Sequence, residues 1–443
     1  MADQNKTYRS AFIVVTVLFF MWGFITVLVD ALIPRLRDVF ELSYFEAGLV
    51  QFSFFTAYFV FSIPGGGLIS KIGYKKGVVV GLITMGIGCL LFYPAASFRI
   101  FPIFLLAMFV LAGGITILQV AANPYVAALG PEETSSSRLN LSQAFNSLGT
   151  TIAPLVSAAF ILSSTVMSSA DVATLPDAQQ MAYYQAEAAA VQGPFLVLAM
   201  VLIVLAIAFG LFNLPKILES RENKSGSYAA ALQIKHLMFG AVGIFVYVGA
   251  EVSIGSYLVN YFLHLDIESL VEGSPAMAAI ASGLSTIFSD TNLNDMNASQ
   301  LAGTYVFFYW GGAMVGRFIG SGLLQRFKAG SMLAIYSGCN IFLLFISMNT
   351  GGLIAFWAIL SVGLFNSIMF PTIFTLAIKG IKENTAQGSG ILCTAIVGGA
   401  IIPPLYGAMA DQFGLQLALM VPVMCYLYIL WYGKAGSQVD LKA

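Results

Sequence analysis

Charge is what this chain has least of. Asp, Glu, Lys and Arg together make up 9% of its 443 residues, against about 25% in an average soluble domain. With 58% of the residues hydrophobic, a soluble fold of this size could not hide its apolar surface, so that class is excluded. Histidine is nearly missing. His236 and His264 are the only two, and both fall in expected loops, so no histidine cluster can hold a metal. The four cysteines, Cys89, Cys339, Cys393 and Cys425, lie in apolar stretches without metal-ligand spacing and read as packing residues. No serine or cysteine triad is visible. A net charge of -1 gives no global field for nucleic acid. The apolar run after MADQNKTYRS is too long for a signal-peptide core. These gaps leave a multi-pass membrane protein that is not an enzyme and needs no cofactor.

What is present is hydrophobic length. Twelve stretches meet the roughly 20-residue requirement of a spanning helix: 11–34, 47–69, 78–97, 102–129, 141–163, 194–213, 237–262, 301–323, 332–348, 353–378, 388–410 and 415–433. The longest polar connections are 164–193, 214–236 and 263–300. The middle one divides the chain into a six-helix bundle over 1–213, a linker over 214–236 and a second six-helix bundle over 237–443. Basic residues fix the expected orientation. Of the 20 Lys and Arg residues, all but Arg35, Arg37 and Arg99 fall on the side of the two termini. Both termini are therefore expected in the cytoplasm. Loops 164–193 and 263–300 carry acids and no Lys or Arg, as outer loops do.

The two halves read as repeats. Gly67-Leu-Ile-Ser-Lys71 matches Gly322-Leu-Leu-Gln-Arg326, Asn123-Pro124-Tyr125 matches Phe370-Pro371-Thr372, and Pro154 matches Pro403. Together they set helices 2, 4 and 5 on helices 8, 10 and 11. Two parallel six-helix repeats are a transporter architecture. The segment Gly66 to Lys76 resembles the major facilitator loop motif, with Ser70 where that motif has an aspartate.

Polar residues inside spans are costly and mark function. Glu251 lies in the middle of helix 7, Arg317 in helix 8, and Asp30 toward the end of helix 1 with Thr26 one turn before it. The stretch Gly113 to Pro154 carries Gln119 and Asn123 on one face of helix 4 and Gln143 and Asn146 on one face of helix 5. Asn366 adds an amide on helix 10. Each amide alone could simply join helices. As a set they outnumber what packing needs, and amides that donate and accept suit sugar hydroxyls. Tyr247 and Trp310 supply a hydroxyl and a stacking face.

These segments carry a resemblance. Asp30-Ala-Leu-Ile-Pro34, Gln119-Val-Ala-Ala-Asn-Pro-Tyr125, Arg138-Leu-Asn-Leu-Ser-Gln-Ala-Phe-Asn-Ser147 and Phe370-Pro-Thr-Ile-Phe374 are similar to the fucose–galactose–glucose sugar:cation symporters of the major facilitator superfamily. The resemblance implies an all-α membrane protein of twelve helices and a coupling role for Asp30. It implies sugar contacts from Gln143 and Asn146. The fucose symporter has a glutamate where this chain has Gln119, which points to the glucose/galactose branch.

The expected function is monosaccharide symport, glucose or galactose with a cation, by alternating access in the cell's plasma membrane. The substrate set is Gln119, Asn123, Gln143, Asn146, Tyr247, Glu251, Trp310 and Asn366. Asp30 and Thr26 form the coupling site, and their hard oxygens favour sodium slightly over a proton, with Asp30 as its ligand. The chain is expected as a monomer in the lipid bilayer. The rival readings are an antiporter for drugs or other small molecules and a non-transporting sugar sensor. The amides oppose the first, and the lack of a cytoplasmic domain opposes the second.

The charge asymmetry yields a direct test. Lys224→Cys should react only with thiol reagents that reach the cytoplasm, and Asp290→Cys with reagents added outside. Labelling of Lys224→Cys from outside would overturn the orientation and the even helix count together.

Overall fold

The computed structural model describes residues 2–40, 44–98, 100–160, 172, 174–215, 217–218, 226–288 and 296–439. Twelve long helices carry the chain. In the first repeat they are α1 (Ala2–Phe40), α2 (Tyr44–Ile72), α3 (Tyr74–Phe98), α4 (Phe101–Ala128), α5 (Ser135–Phe160) and α6 (Asp177–Leu211). In the second they are α7 (Lys235–His264), α8 (Ala298–Arg326), α9 (Ala329–Asn349), α10 (Gly352–Ala377), α11 (Lys382–Phe413) and α12 (Leu415–Gly436). Among the described residues, ten of these are apolar and long enough to cross a membrane. The other two, α5 and α8, carry Gln143, Asn146, Trp310 and Arg317 of the candidate site.

The packing divides the chain into two compact units. The first holds Met1–Leu129, Leu148–Ala231 and Lys382–Thr394, and the second holds Gly130–Ser147, Leu232–Ile381 and Ala395–Ala443. One division between the units falls between Ala231 and Leu232. Two half-helices depart from a simple division at that point. The start of α5 packs within the second unit, and the start of α11 within the first. Both begin in the same way. Gly130 (φ 143°) and Gly380 (φ 72°) turn the chain in a region that only glycine enters without strain. A single 3₁₀ turn follows each, Glu132–Thr134 ahead of α5 and Lys382–Asn384 as the first turn of α11, and α-helical turns continue from Ser135 and Thr385. Arg138 secures the first of these turns, donating to Thr134 Oγ1 at 2.7 Å and to the Pro131 carbonyl at 2.8 Å.

The outer connections are more helical than their polarity suggests. α6 begins at Asp177, because DAQQMAYYQAEAAA is rich in helix-forming Ala and Gln even though it is too polar to look like a span. The connection 263–300 contains the helices Ile267–Glu272 and Pro275–Phe288. Tyr305 of α8 holds the second of these by donating to the Met277 carbonyl at 2.6 Å. Asn297 caps α8 in a capping box with Gln300.

Within the first unit, glycines bring α3 and α4 into backbone contact. A Cβ added at Gly114 would lie 2.5 Å from Met85 N, and one at Gly81 would lie 2.8 Å from Leu118 N. The start of α11 is stitched into the same unit. Gln387 Nε2 donates to the Gly226 carbonyl at 2.8 Å, Ser227 N donates to Asn384 Oδ1 at 3.0 Å, and the Tyr228 hydroxyl donates to the Ile63 carbonyl. Burial pushes the Tyr228 phenol up to about 12, so it keeps the proton it donates. The α2–α3 turn places Gly73 at φ 84°. There Ser70, at the motif's aspartate position, spends its hydroxyl on the Gly67 carbonyl at 2.9 Å.

Overpacking at the α3–α4 contact should be costly. Gly114→Val is expected to lower stability by about 1–3 kcal/mol, measured by thermal unfolding of the detergent-purified protein. Gly322→Ala, with nothing within 4 Å of the added methyl, should be neutral in the same assay.

Candidate functional site

The site begins with two prolines. A proline inside a helix has no N–H for the carbonyl four residues earlier, and in a membrane that carbonyl has no water to turn to. Pro124 frees the Val120 carbonyl in α4. Ser389 of α11, fully buried, answers it with its hydroxyl at 2.8 Å. Pro371 frees the Ser367 carbonyl in α10, where the helix is broken between Asn366 and Met369. Arg317 of α8 answers that one through Nε at 3.3 Å.

Arg317 has other partners in the second unit. Its Nη1 donates to the Ser147 hydroxyl, and its Nη2 lies 4.0 Å from Glu251 Oε1. Its carbonyl accepts from Asn140 Nδ2 at 2.7 Å. Glu251 Oε1 also accepts from the Tyr247 hydroxyl at 2.7 Å, and the Glu251 carbonyl from the Tyr309 hydroxyl at 3.2 Å. Asn366 stands behind this pair and is fully buried. Its Oδ1 accepts from Asn340 Nδ2 at 2.8 Å and from the Tyr426 hydroxyl at 2.7 Å, and its Nδ2 donates to Tyr309 Oη at 2.8 Å. Trp310 is exposed and packs edge-on to Tyr309 with ring centroids 5.0 Å apart. Its indole lies over Gly255, one turn after Glu251, where an added Cβ would come within 2.8 Å of the ring.

Six of the eight expected substrate residues thus belong to one unit: Gln143, Asn146, Tyr247, Glu251, Trp310 and Asn366. Gln143 is buried and Asn146 half-buried. Ser147, which meets Arg317, lies one turn after Gln143 and donates its hydroxyl to the Gln143 carbonyl at 3.1 Å, so Gln143 shares a helix face with the residue that meets the charged pair. Two others are already committed. Asn366 spends its oxygen on two donors, and Tyr247 spends its hydroxyl on Glu251 and on the Asn366 carbonyl, 3.3 Å away. Sequence reasoning did not find Asn340, Tyr309 or Tyr426. They read as ordinary residues of apolar helices, and only the convergence of three helices on Asn366 reveals them.

The first unit holds Gln119 and Asn123. Gln119 Nε2 donates to Tyr58 Oη at 2.6 Å. Asn123 is fully buried, and among the described residues neither Nδ2 nor Oδ1 has a partner. Trp22 is buried, and Thr26 turns its hydroxyl back onto the Trp22 carbonyl at 2.9 Å. Asp30 lies in α1, but its side chain falls outside the described residues.

This geometry can now be set beside known proteins. The model of the Major Facilitator Superfamily matches residues 11–402. The chain belongs to the major facilitator superfamily. It is 49% identical over 440 residues to the glucose/galactose transporter of Brucella abortus (strain 9-941), covering 98% of this chain and 96% of that one. It is 34% identical over 445 residues to the L-fucose-proton symporter of Escherichia coli K12, covering 99% and 95%. The crystal structure of the transporter FucP in the outward conformation superposes with a TM-score of 0.85 at 32% identity, covering 98% of this chain and 100% of that one. These relatives are transporters, and the chain is a multi-pass membrane transporter of this superfamily, with twelve helices in two six-helix repeats. It is not an enzyme.

The Ser389–Val120 contact can be tested by a thermodynamic cycle. Ser389→Ala should destabilise the protein by about 1–3 kcal/mol, because it orphans a buried carbonyl. In a Pro124→Ala background the restored N–H at position 124 satisfies that carbonyl, so the same change should cost much less. Equal losses in both backgrounds, read from thermal unfolding, would show that the serine does something else.

Proposed function

We propose that this protein is a glucose/galactose symporter that imports a hexose with a proton by alternating access. The observation that carries this reading is the 49% identity with a glucose/galactose transporter along 98% of the chain. Support for the proton comes from the relative named as an L-fucose-proton symporter. The slight sequence-based preference for sodium has no such support, since it rested on Asp30 and Thr26. Thr26 turns its hydroxyl onto its own helix. Asp30 keeps its place as a coupling residue in this reading.

Among the amides, Gln119, Asn123, Gln143 and Asn146 are proposed to contact sugar, and Trp310 to stack on the ring. Asn123 is supported by its unpartnered, fully buried side chain. Burying a polar group without a partner costs about 1–3 kcal/mol, so a ligand hydroxyl or a water is the natural complement. Asn366 and Tyr247 are proposed to hold the site's shape, because their polar atoms are engaged. The neutral amides suit a polyhydroxyl ligand, which disfavours the drug-antiporter and sensor readings.

The bundles 1–213 and 237–443 are the proposed halves of the transport cycle, joined by the linker 214–236. Both termini are proposed in the cytoplasm, with the chain a monomer in the lipid of the plasma membrane.

Asn146→Ala and Gln143→Ala should each weaken hexose binding by about 1–3 kcal/mol while the protein stays folded. Calorimetric titration with glucose and galactose, beside a thermal melt, reads both quantities. Parent-like affinity in both variants would make these amides structural.

A further inference from the structure

Among the described side chains, Glu251 is the one carboxylate in the middle of a spanning helix. The others lie in turns and connections or, for Asp411, in the last turn of α11. A carboxylate at that depth needs a cation or a proton. The cation is Arg317, yet the pair is loose. Its 4.0 Å separation exceeds a charge-assisted hydrogen bond, which runs at about 2.7–2.9 Å. The guanidinium makes its hydrogen bonds elsewhere, to the Ser367 carbonyl and the Ser147 hydroxyl. These anchors hold Arg317 whether or not Glu251 is charged. The Tyr247 hydroxyl can donate to the carboxylate, as it does here, or accept from the acid.

We propose that Glu251 is a proton-carrying residue of the transport cycle, with Arg317 as its fixed countercharge. This assignment deepens the sugar–proton reading above and rests on it. The step is simple in atoms. A proton adds to the Glu251 carboxylate from one side of the membrane and leaves it on the other, so each turnover moves one proton and no bond of the sugar changes. The titratable and charged groups around Glu251 are Tyr247 on its own helix, Tyr309 and Arg317 on α8, and Tyr426 on α12. Asn366 on α10, bonded to Tyr247 through its carbonyl and to Tyr309 through Nδ2, does not titrate. The three tyrosines are tied through Tyr247 and Tyr309 to Glu251 itself and through Tyr309 and Tyr426 to Asn366. Protonation at Glu251 therefore leaves Arg317 unbalanced beside Ser147, whose hydroxyl also bonds the Gln143 carbonyl one helical turn earlier. That adjacency supplies a path by which the proton and the sugar can sense each other.

The test counts protons per sugar in proteoliposomes. A pH electrode follows proton uptake when galactose or glucose is added, and labelled sugar gives the flux. In Glu251→Gln the ratio of protons to sugar should fall by roughly tenfold or more, whatever flux remains. An unchanged ratio overturns the assignment. Where Glu251→Gln moves no sugar, Glu251→Asp decides. The acid is then retained at a different distance from Arg317, and the pH of half-maximal sugar exchange should shift from that of the parent. A profile that coincides with the parent's overturns the assignment. A parent that exchanges neither hexose removes the sugar reading and this inference with it. A parent that moves sugar without protons leaves the sugar reading standing and overturns the inference alone.

Discussion

A carbonyl freed inside a membrane must find a donor within the protein. Pro124 and Pro371 each create such a carbonyl at matching places in the two repeats, and much of the polar interior follows from how each is answered. In α4 the answer is neutral, a serine hydroxyl from the start of α11. In α10 the answer is an arginine. A guanidinium brings a full charge into a region where charge is costly, and that charge calls for Glu251. Glu251 in turn is bound by Tyr247, and Tyr247 reaches the Asn366 carbonyl at the edge of the helix break. The break, the cation, the acid and the amide hub are thus one connected set of bonds.

The buried amides divide by how completely the protein satisfies them. Asn366 is held by Asn340, Tyr309 and Tyr426. An amide fixed by three neighbours is a rigid support, and a ligand would have to displace one of them to bond its oxygen. Asn123 is as deeply buried and has no such partner among the described residues. The same residue type therefore serves opposite ends, one as structure and one as an open valence. Side-chain chemistry alone does not separate them, since both lie close to a proline in a spanning helix.

The architecture was legible in the sequence because lipid imposes a coarse and strict rule. Runs of about 20 apolar residues stand out, and among the described residues the expected spans lie in helices, overrunning them at 129, 212–213 and 378 and at the break after Asn366. The repeat was legible from prolines and glycines, whose backbone demands survive divergence. The finer registration was not. Gly130 and Gly380 mark equivalent turns through their positive φ, yet the residues after them, Pro131 and Ile381, share no chemistry. The assignment of half-helices to units was hidden as well. Ser136, Ser137 and Asn140 read as a polar helix start. Their partners, the Thr375 hydroxyl and the Ser321 and Arg317 carbonyls, lie far along the chain. The helices at 267–288 were missed because a short amphipathic segment among polar residues resembles a loop.

The repeats share a backbone plan but not an electrostatic one. In the first unit the described polar groups deep in the helices are Gln119 against Tyr58, the open Asn123, and serine or threonine hydroxyls turned onto carbonyls. None of these changes charge near neutral pH. In the second unit the equivalent depth holds Glu251, Arg317 and three tyrosines. A neutral sugar can be recognised by uncharged amides of either unit, while coupling to a proton requires a titratable carboxylate such as Glu251. Duplication of one six-helix plan leaves room for both, because the backbone defect at each proline fixes only that a donor must come, not whether it brings a charge.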